Sequence, residues 1–152
     1  MIIAIDPGVS GGIACFKGGR VICCAMPQTF SDIHKALSDL SQGVPQCRDR
    51  VFLEKVHAMP GNGVVSMFTF GENYGYLRGV CHTLRYSIED VPPQAWQKAL
   101  QCGSKGKIPQ TEWKNLLKNK AQQLYPDLRV TLATADALLI LEWAKRFRGE
   151  FT

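Results

Sequence analysis

The sequence predicts a single α/β domain, and three observations carry that expectation. Strand-like runs separated by glycine-containing turns open the chain, and strand-like and helix-like stretches alternate after them. The chain has 152 residues, one domain's worth, enough to bury roughly 68–70% of the surface an unfolded chain exposes. No stretch of 1–152 is long and polar enough to act as a linker. With 45% hydrophobic and 20% charged residues, the composition is that of an ordinary globular protein.

Met1–Ile5 is a short, largely β-branched run ending at Asp6, and Pro7-Gly8 with Ser10-Gly11-Gly12 turns the chain. Ile13–Phe16 and Arg20–Ala25 are the next strands, joined at Gly18-Gly19, which makes an antiparallel meander of three. Ser31 is the expected cap of a helix whose apolar positions Ile33, Ala36, Leu37 and Leu40 share one face, with Gly43 closing it. Val51-Phe52-Leu53 is a fourth strand, again ending in an acid, Glu54, and a loop with Gly and Pro follows from His57 to Gly63.

A helix-like stretch then places Phe70, Tyr74, Leu77, Cys81 and Leu84 on one stripe and Gly71, Gly75 and Gly79 on another. Each such glycine costs a helix roughly 1 kcal/mol relative to alanine. A smooth face of this kind serves close approach by another backbone or a ligand, or else tight packing on the chain's own sheet. Ser87–Val91 is the fifth strand, ended by Pro92-Pro93, and Gln94–Leu100 starts a short helix. After the basic loop Gly103–Pro109, Thr111 caps a helix that should bury Trp113, Leu116, Leu117, Ala121, Leu124 and Tyr125, with Lys114 and Lys118 pointing away. Thr134 caps the last helix, whose inward residues should be Leu138, Leu139, Trp143 and Phe147.

The formal charge is +5, and all of the excess lies between Lys98 and Arg129, where seven basic residues face only Glu112 and Asp127. That concentration fits a surface turned toward a polyanion, or a solvated lysine-rich helix face. No apolar run approaches the ~18 residues of a membrane span, and no secretory address is expected. The six cysteines, Cys15, Cys23, Cys24, Cys47, Cys81 and Cys102, form no CxxC pair. They read as reduced thiols in a reducing compartment rather than as a zinc site.

Three acids share an unusual placement: Asp6 and Glu54 end strands, and Asp136 opens the final helix. If the first and fourth strands are neighbours, Asp6 and Glu54 project roughly 5 Å apart across the ladder. Carboxylates so crowded need a cation, and Mg²⁺ suits them because it is hard and prefers oxygen ligands. A pair of such ions can hydrolyse a phosphodiester without a protein nucleophile. Each acid also has a plain reading: Asp6 as a turn residue before Pro-Gly, Asp136 as a complement to the helix dipole. Glu54 is harder to dismiss, since an acid after Val-Phe-Leu sits close to the core.

Ile3-Ala4-Ile5-Asp6-Pro7-Gly8, Phe52-Leu53-Glu54-Lys55-Val56 and Ala135-Asp136-Ala137-Leu138-Leu139-Ile140 resemble, in order, the three motifs of RuvC-type Holliday junction resolvases. The resemblance spans essentially the whole chain. Pro93-Gln94-Ala95-Trp96 before a basic helix, and the aromatic-glycine stretch from Phe68 to Gly79, are similar to phage-borne and chloroplast members. The resemblance implies an RNase H-like fold, a five-stranded mixed sheet with its first three strands antiparallel, flanked by helices. It further implies a homodimer making paired, symmetric nicks in a four-way DNA junction. Asp6, Glu54 and Asp136 carry over as catalytic ligands of Mg²⁺, which Mn²⁺ can replace, with two ions per site. His57 falls where the family places a wedge at the junction centre, with Met59 and Phe68 as neighbouring stackers. His57 can equally be an ordinary loop histidine. A bacterial or phage-encoded cytoplasmic protein, or one of a DNA-containing organelle or nucleoid, is the expected setting.

Two departures from the family pattern stand out. Where members carry a fourth metal-site Asp or His one helical turn before Asp136, this chain reads Thr131-Leu132-Ala133-Thr134. Where they place a lysine just after the tryptophan, this chain has Gln97 and then Lys98. Lys98 is therefore the candidate phosphate contact and catalytic cation, with Lys105, Lys107, Lys114 and Lys118 as further DNA contacts. The alternatives are another nuclease on the same fold, acting on RNA or other branched DNA, and a catalytically impaired junction-binding protein, made plausible by Ala133. A nucleotide-binding protein of the sugar-kinase and actin fold also opens with an Asp-Gly turn, but such chains usually have two such domains.

Overall fold

The structure, a computed structural model, describes residues 1–41, 49–56 and 63–149. Three strands, β1 (Ile2–Asp6), β2 (Gly12–Lys17) and β3 (Arg20–Ala25), form the expected antiparallel meander. On the other side of β1 lies β4 (Arg50–Glu54), parallel to it, and β5 (Ser87–Val91) adds a further parallel strand. The order is β3-β2-β1-β4-β5, a five-stranded mixed sheet. The helices are α1 (Phe30–Ser41), α2 (Val64–Thr83), α3 (Pro93–Ala99), α4 (Gln110–Leu124) and α5 (Leu132–Phe147).

Because β1 is central and covered on both faces, all five of its residues are buried and no polar alternation remains. Ile3 and Ile5 belong to a core shared with Ile33 and Leu37 of α1 and Leu77 and Cys81 of α2. On the opposite face, Ala4, Ala14 and Phe52 belong to a core built with Trp96, Trp113, Leu117 and the apolar side of α5. Ala4 and Ala14 are cross-strand partners, and their small side chains let α5 lie close to the sheet. Gly12 completes that approach: a Cβ there would stand 2.5 Å from the carbonyl oxygen of Ala133. The N-terminal turn of α5 is thus seated against β2, which fixes where Asp136 emerges.

Helix starts differ from the sequence expectation in a consistent way. Thr29, not Ser31, caps α1, accepting the Asp32 N–H at 3.1 Å and donating to Asp32 Oδ2 at 2.7 Å. Thr131, not Thr134, caps α5, and Thr134 completes a reciprocal capping box at the third helical position. Asp136 accordingly lies in the second turn rather than the first. Thr111 falls inside α4, whose N-cap is Pro109 with no side-chain cap. In each case two hydroxyl-bearing or turn residues stood close together, and the outer one entered the non-helical conformation that a cap requires. Gly43 and Cys47 lie outside the described residues.

The buried stripes also shift. The inner face of α2 is Asn73, Leu77, Val80 and Cys81, with Phe70 and Tyr74 half-buried. Gly71, Gly75 and Gly79 face open space, with nothing near an added Cβ, so packing on the chain's own sheet is not their purpose. Leu116 and Phe147 are exposed: α4 turns a narrower face inward than its apolar residues allow, and α5 outruns the sheet at its C-terminal end. None of the helices among the described residues is long and apolar enough to cross a membrane.

Candidate active site

Strand register brings the first two acids together. The parallel pairing Ile5↔Leu53 leaves Asp6 and Glu54 as the terminal residues of adjacent strands, at the same edge of the sheet. Beyond Asp6 the chain must reverse at once, and Gly8 does this with φ +102°, a conformation cheap only for glycine. The Gly8 N–H donates to buried Asn73 Oδ1 at 2.9 Å, which ties the turn to α2. The third acid, Asp136, is buried on α5, and the capping box and Gly12 hold that helix end in place.

The three carboxyls form one electrostatic unit. Burial drives Asp6 well above the ordinary carboxylate range, and the charges of Glu54 and Asp136 push it further, while Lys114 pulls it back. Glu54 is raised to about 7, by burial first and then by the Asp136 charge, against the opposing pull of the Trp96 N–H and Lys114. Asp6 and Glu54 are within hydrogen-bonding reach of each other, an arrangement two anions adopt only by sharing a proton or a cation. Asp136 Oδ1 is buried without a hydrogen-bond partner. Such an orphan acceptor normally costs about 1–3 kcal/mol, so its persistence marks a place for a further cation or donor.

Two residues complete the site that sequence reasoning placed elsewhere or passed over. Lys114, expected to point away from the buried face of α4, instead gives its ammonium to Asp136 Oδ2. Burial opposes that charge, but Asp136, Asp6 and Glu54 outweigh it and hold the Lys114 pKa up. Trp96, fully buried on α3, donates its indole N–H to Glu54 Oε1 at 3.0 Å and fixes that carboxylate's orientation. A lysine beside a tryptophan on a helix following a basic loop has the same spacing whether it faces solvent or an acid, so periodicity alone could not find it.

The hard oxygen donors of Asp6, Glu54 and Asp136 suit a divalent ion such as Mg²⁺ in kind. As the side chains stand, no three His, Cys, Asp or Glu among the described residues are disposed to hold a metal ion. The Lys114 ammonium sits on Asp136 instead. Ala133, at the second position of α5, brings no ligand, and its carbonyl faces the Gly12 position. The donor set therefore fits the ion chemically, provided Lys114 releases Asp136 and the carboxylates draw together.

The other expected contacts are spread over the same side of the chain's sequence but not into the acid cluster. Lys98 is exposed on α3 and forms no ion pair with the three acids. Lys105 and Lys107 are exposed in the loop before α4, and Lys118 is half-buried one turn after Lys114. Phe68 is 67% exposed near the start of α2. His57 and Met59 lie outside the described residues.

No family model matches the chain, and no curated protein sequence does. Solved structures do match. Thermus thermophilus RuvC aligns with a TM-score of 0.59 and 16% identity, over 97% of this chain and 96% of that one. T. thermophilus RuvC in complex with a Holliday junction substrate aligns with a TM-score of 0.60 and 14% identity, over 95% and 94%. The chain shares the RNase H-like fold of these proteins over nearly its full described length.

Proposed function

We propose that this chain is a divalent-metal-dependent endonuclease that resolves four-way DNA junctions by paired, symmetric nicks. The observation that carries the chemistry is the buried meeting of Asp6, Glu54 and Asp136 at one sheet edge, with one Asp136 oxygen left unpartnered. Asp6, Glu54 and Asp136 are the residues that would hold Mg²⁺ or Mn²⁺. Such ions would supply activation of a water and stabilisation of the leaving 3′ oxygen. Trp96 keeps Glu54 turned into the site. Lys114, released from Asp136, keeps its ammonium beside the site, where the entering phosphate needs a positive partner. Lys98, Lys105, Lys107 and Lys118 supply the sequence-independent attraction that dominates nucleic-acid affinity.

Junction selectivity rests on the fold shared with RuvC, one of whose structures holds a Holliday junction, and on the motif resemblance. Symmetric nicking requires two copies of the chain. The test compares cleavage of a four-way junction, a flap and an RNA duplex at physiological salt with Mg²⁺. Preferred, paired cutting of the junction supports the reading, and equal or better cutting of the others overturns it. Asp6→Asn and Glu54→Gln each abolish cutting while junction binding stays equal or tightens, because lost negative charge no longer repels phosphate.

Two observations favour a second reading, a junction-binding protein that cuts weakly or not at all: Ala133 offers no fourth ligand, and Lys114 is already paired with Asp136. Calorimetric titration with Mn²⁺ separates the two. Metal heat that disappears in Asp6→Asn supports the nuclease, and no heat in the wild type supports the binding protein.

A further inference from the structure

The side of α3 turned away from Trp96 opens on a cavity of about 690 Å³ lined by Gln94, Gln97, Lys98, Gln101, Ser104 and Lys105. Its chemistry is unusual for a surface hollow: three carboxamides, two ammoniums, a hydroxyl and no carboxylate. None of the three amides or the two ammoniums has a hydrogen-bond or ion-pair partner among the described residues; Gln94, Lys98, Gln101 and Lys105 are exposed and Gln97 is half-buried. A carboxamide offers one donor edge and one acceptor edge side by side. That pair matches the N6–H and N7 of adenine in the major groove, while lysines beside it match the phosphates of the same strand.

The backbone fixes where Gln101 stands. The end of α3 is a Schellman motif: Cys102 N–H donates to the Gln97 carbonyl at 2.9 Å, and Gln101 N–H to that of Lys98 at 3.1 Å. The position between them takes a left-handed conformation and is normally glycine. Here it is Gln101, at φ +54°, one of only two non-glycine residues with positive φ among those described. Gln101 gives its N–H to that motif, and its side chain lines the cavity. The cavity's distance from the acids is fixed, because the same short helix carries Trp96, hydrogen-bonded to Glu54.

We infer that Gln97 and Gln101, with Gln94, read the base edges of the DNA strand lying beside the acid cluster and give the enzyme a preference for adenine at a fixed distance from the scissile bond. The inference rests on the proposed nuclease reading for the strand it reads, but its readout does not need cleavage. The protein, without divalent metal, is used to select from a pool of four-way junctions and duplexes carrying a short randomised segment, and the bound DNA is sequenced. The wild type enriches adenine at one position by roughly 5- to 150-fold, the range of a good bidentate base contact. Gln97→Ala and Gln101→Gly each flatten that enrichment, while the salt dependence, which reports phosphate contacts, stays as in the wild type. Gln101→Gly relieves backbone strain, so its effect is not a folding defect.

A wild type that enriches no base, or variants that keep the full enrichment, overturns the inference. Adenine preference with equal recovery of duplexes and junctions leaves it standing and removes the junction reading. Junction preference without base preference does the reverse, and failure to bind any DNA removes both.

Discussion

At the scale of single residues, the site is a pocket of excess negative charge neutralised from within. Lys114 gives its ammonium to Asp136, and burial and crowded charge raise the pKa values of Asp6 and Glu54, which favours a proton on the pair. On the proposed reading, a divalent ion displaces the ammonium and any such proton. Replacing Lys114 by methionine removes the internal competitor while keeping the aliphatic stem, so Mg²⁺ binding measured by calorimetry tightens by about tenfold, corresponding to roughly 1.4 kcal/mol. The same variant without metal loses on the order of 1–3 kcal/mol of stability, less than a fully buried pair because the lysine is about a third exposed, and regains it with Mg²⁺. The pH dependence follows from the same groups. Glu54 holds its proton to about 7 in the folded state against an ordinary value of 4.5, and Asp6 is shifted the same way. Such groups stabilise the fold fully below their unfolded pKa, and that contribution is lost as pH rises through the folded value. Thermal melts of metal-free protein therefore fall by several degrees between about pH 5 and about pH 8. The fall shrinks in Glu54→Gln and is offset by Mg²⁺ at the higher pH. A flat or rising profile in metal-free wild type contradicts this account of the cluster.

At the scale of elements, the sequence displayed the scaffold and concealed the neighbours. The strands were legible because apolar runs ended in acids or turn residues, and the alternation of β and α fixed their kind. Asp6, Glu54 and Asp136 were legible as a set for that reason. Trp96 and Lys114 were not, because helix periodicity gives a face but not what lies opposite it. The outward amides of α3 share that obscurity, since exposed glutamines carry no pattern. Cap positions slipped by two or three residues where hydroxyl-bearing side chains clustered, and local preference alone does not choose among them. With Lys114 drawn into the acid cluster, Lys105, Lys107 and Lys118 are the DNA-contact candidates that remain on α4 and the loop before it. Replacing these three by alanine weakens junction binding at low salt by well over tenfold. It also reduces the slope of log affinity against log salt by about 0.9 per lost phosphate contact on duplex arms. Fluorescence anisotropy over a salt series reads both quantities. A lowered affinity with an unchanged slope means that these lysines do not contact phosphate.

At the scale of the whole molecule, one long face remains without a partner among the described residues. On α2, Val64, Phe68, Gly71, Gly75 and Gly79 fall within one narrow sector, opposite the stripe of Asn73, Leu77 and Val80 that faces the core. Val64 and Phe68 are exposed, and an added Cβ at any of the three glycines meets nothing. Glycines that cost a helix roughly 1 kcal/mol each persist where another backbone comes close. Two sites that nick a symmetric junction must be related by a two-fold axis, and an isologous contact of one α2 against another meets both conditions. Gly75→Leu, placed at the middle of the smooth face, leaves the monomer fold intact because its side chain points into open space. On the proposed reading of a dimer that nicks in pairs, it shifts sedimentation from dimer to monomer and replaces paired nicks with single, uncoupled ones on a cruciform plasmid. Sedimentation at the dimer position in Gly75→Leu, with nicks still paired, would assign pairing to a different surface and leave the exposed face of α2 to the DNA itself.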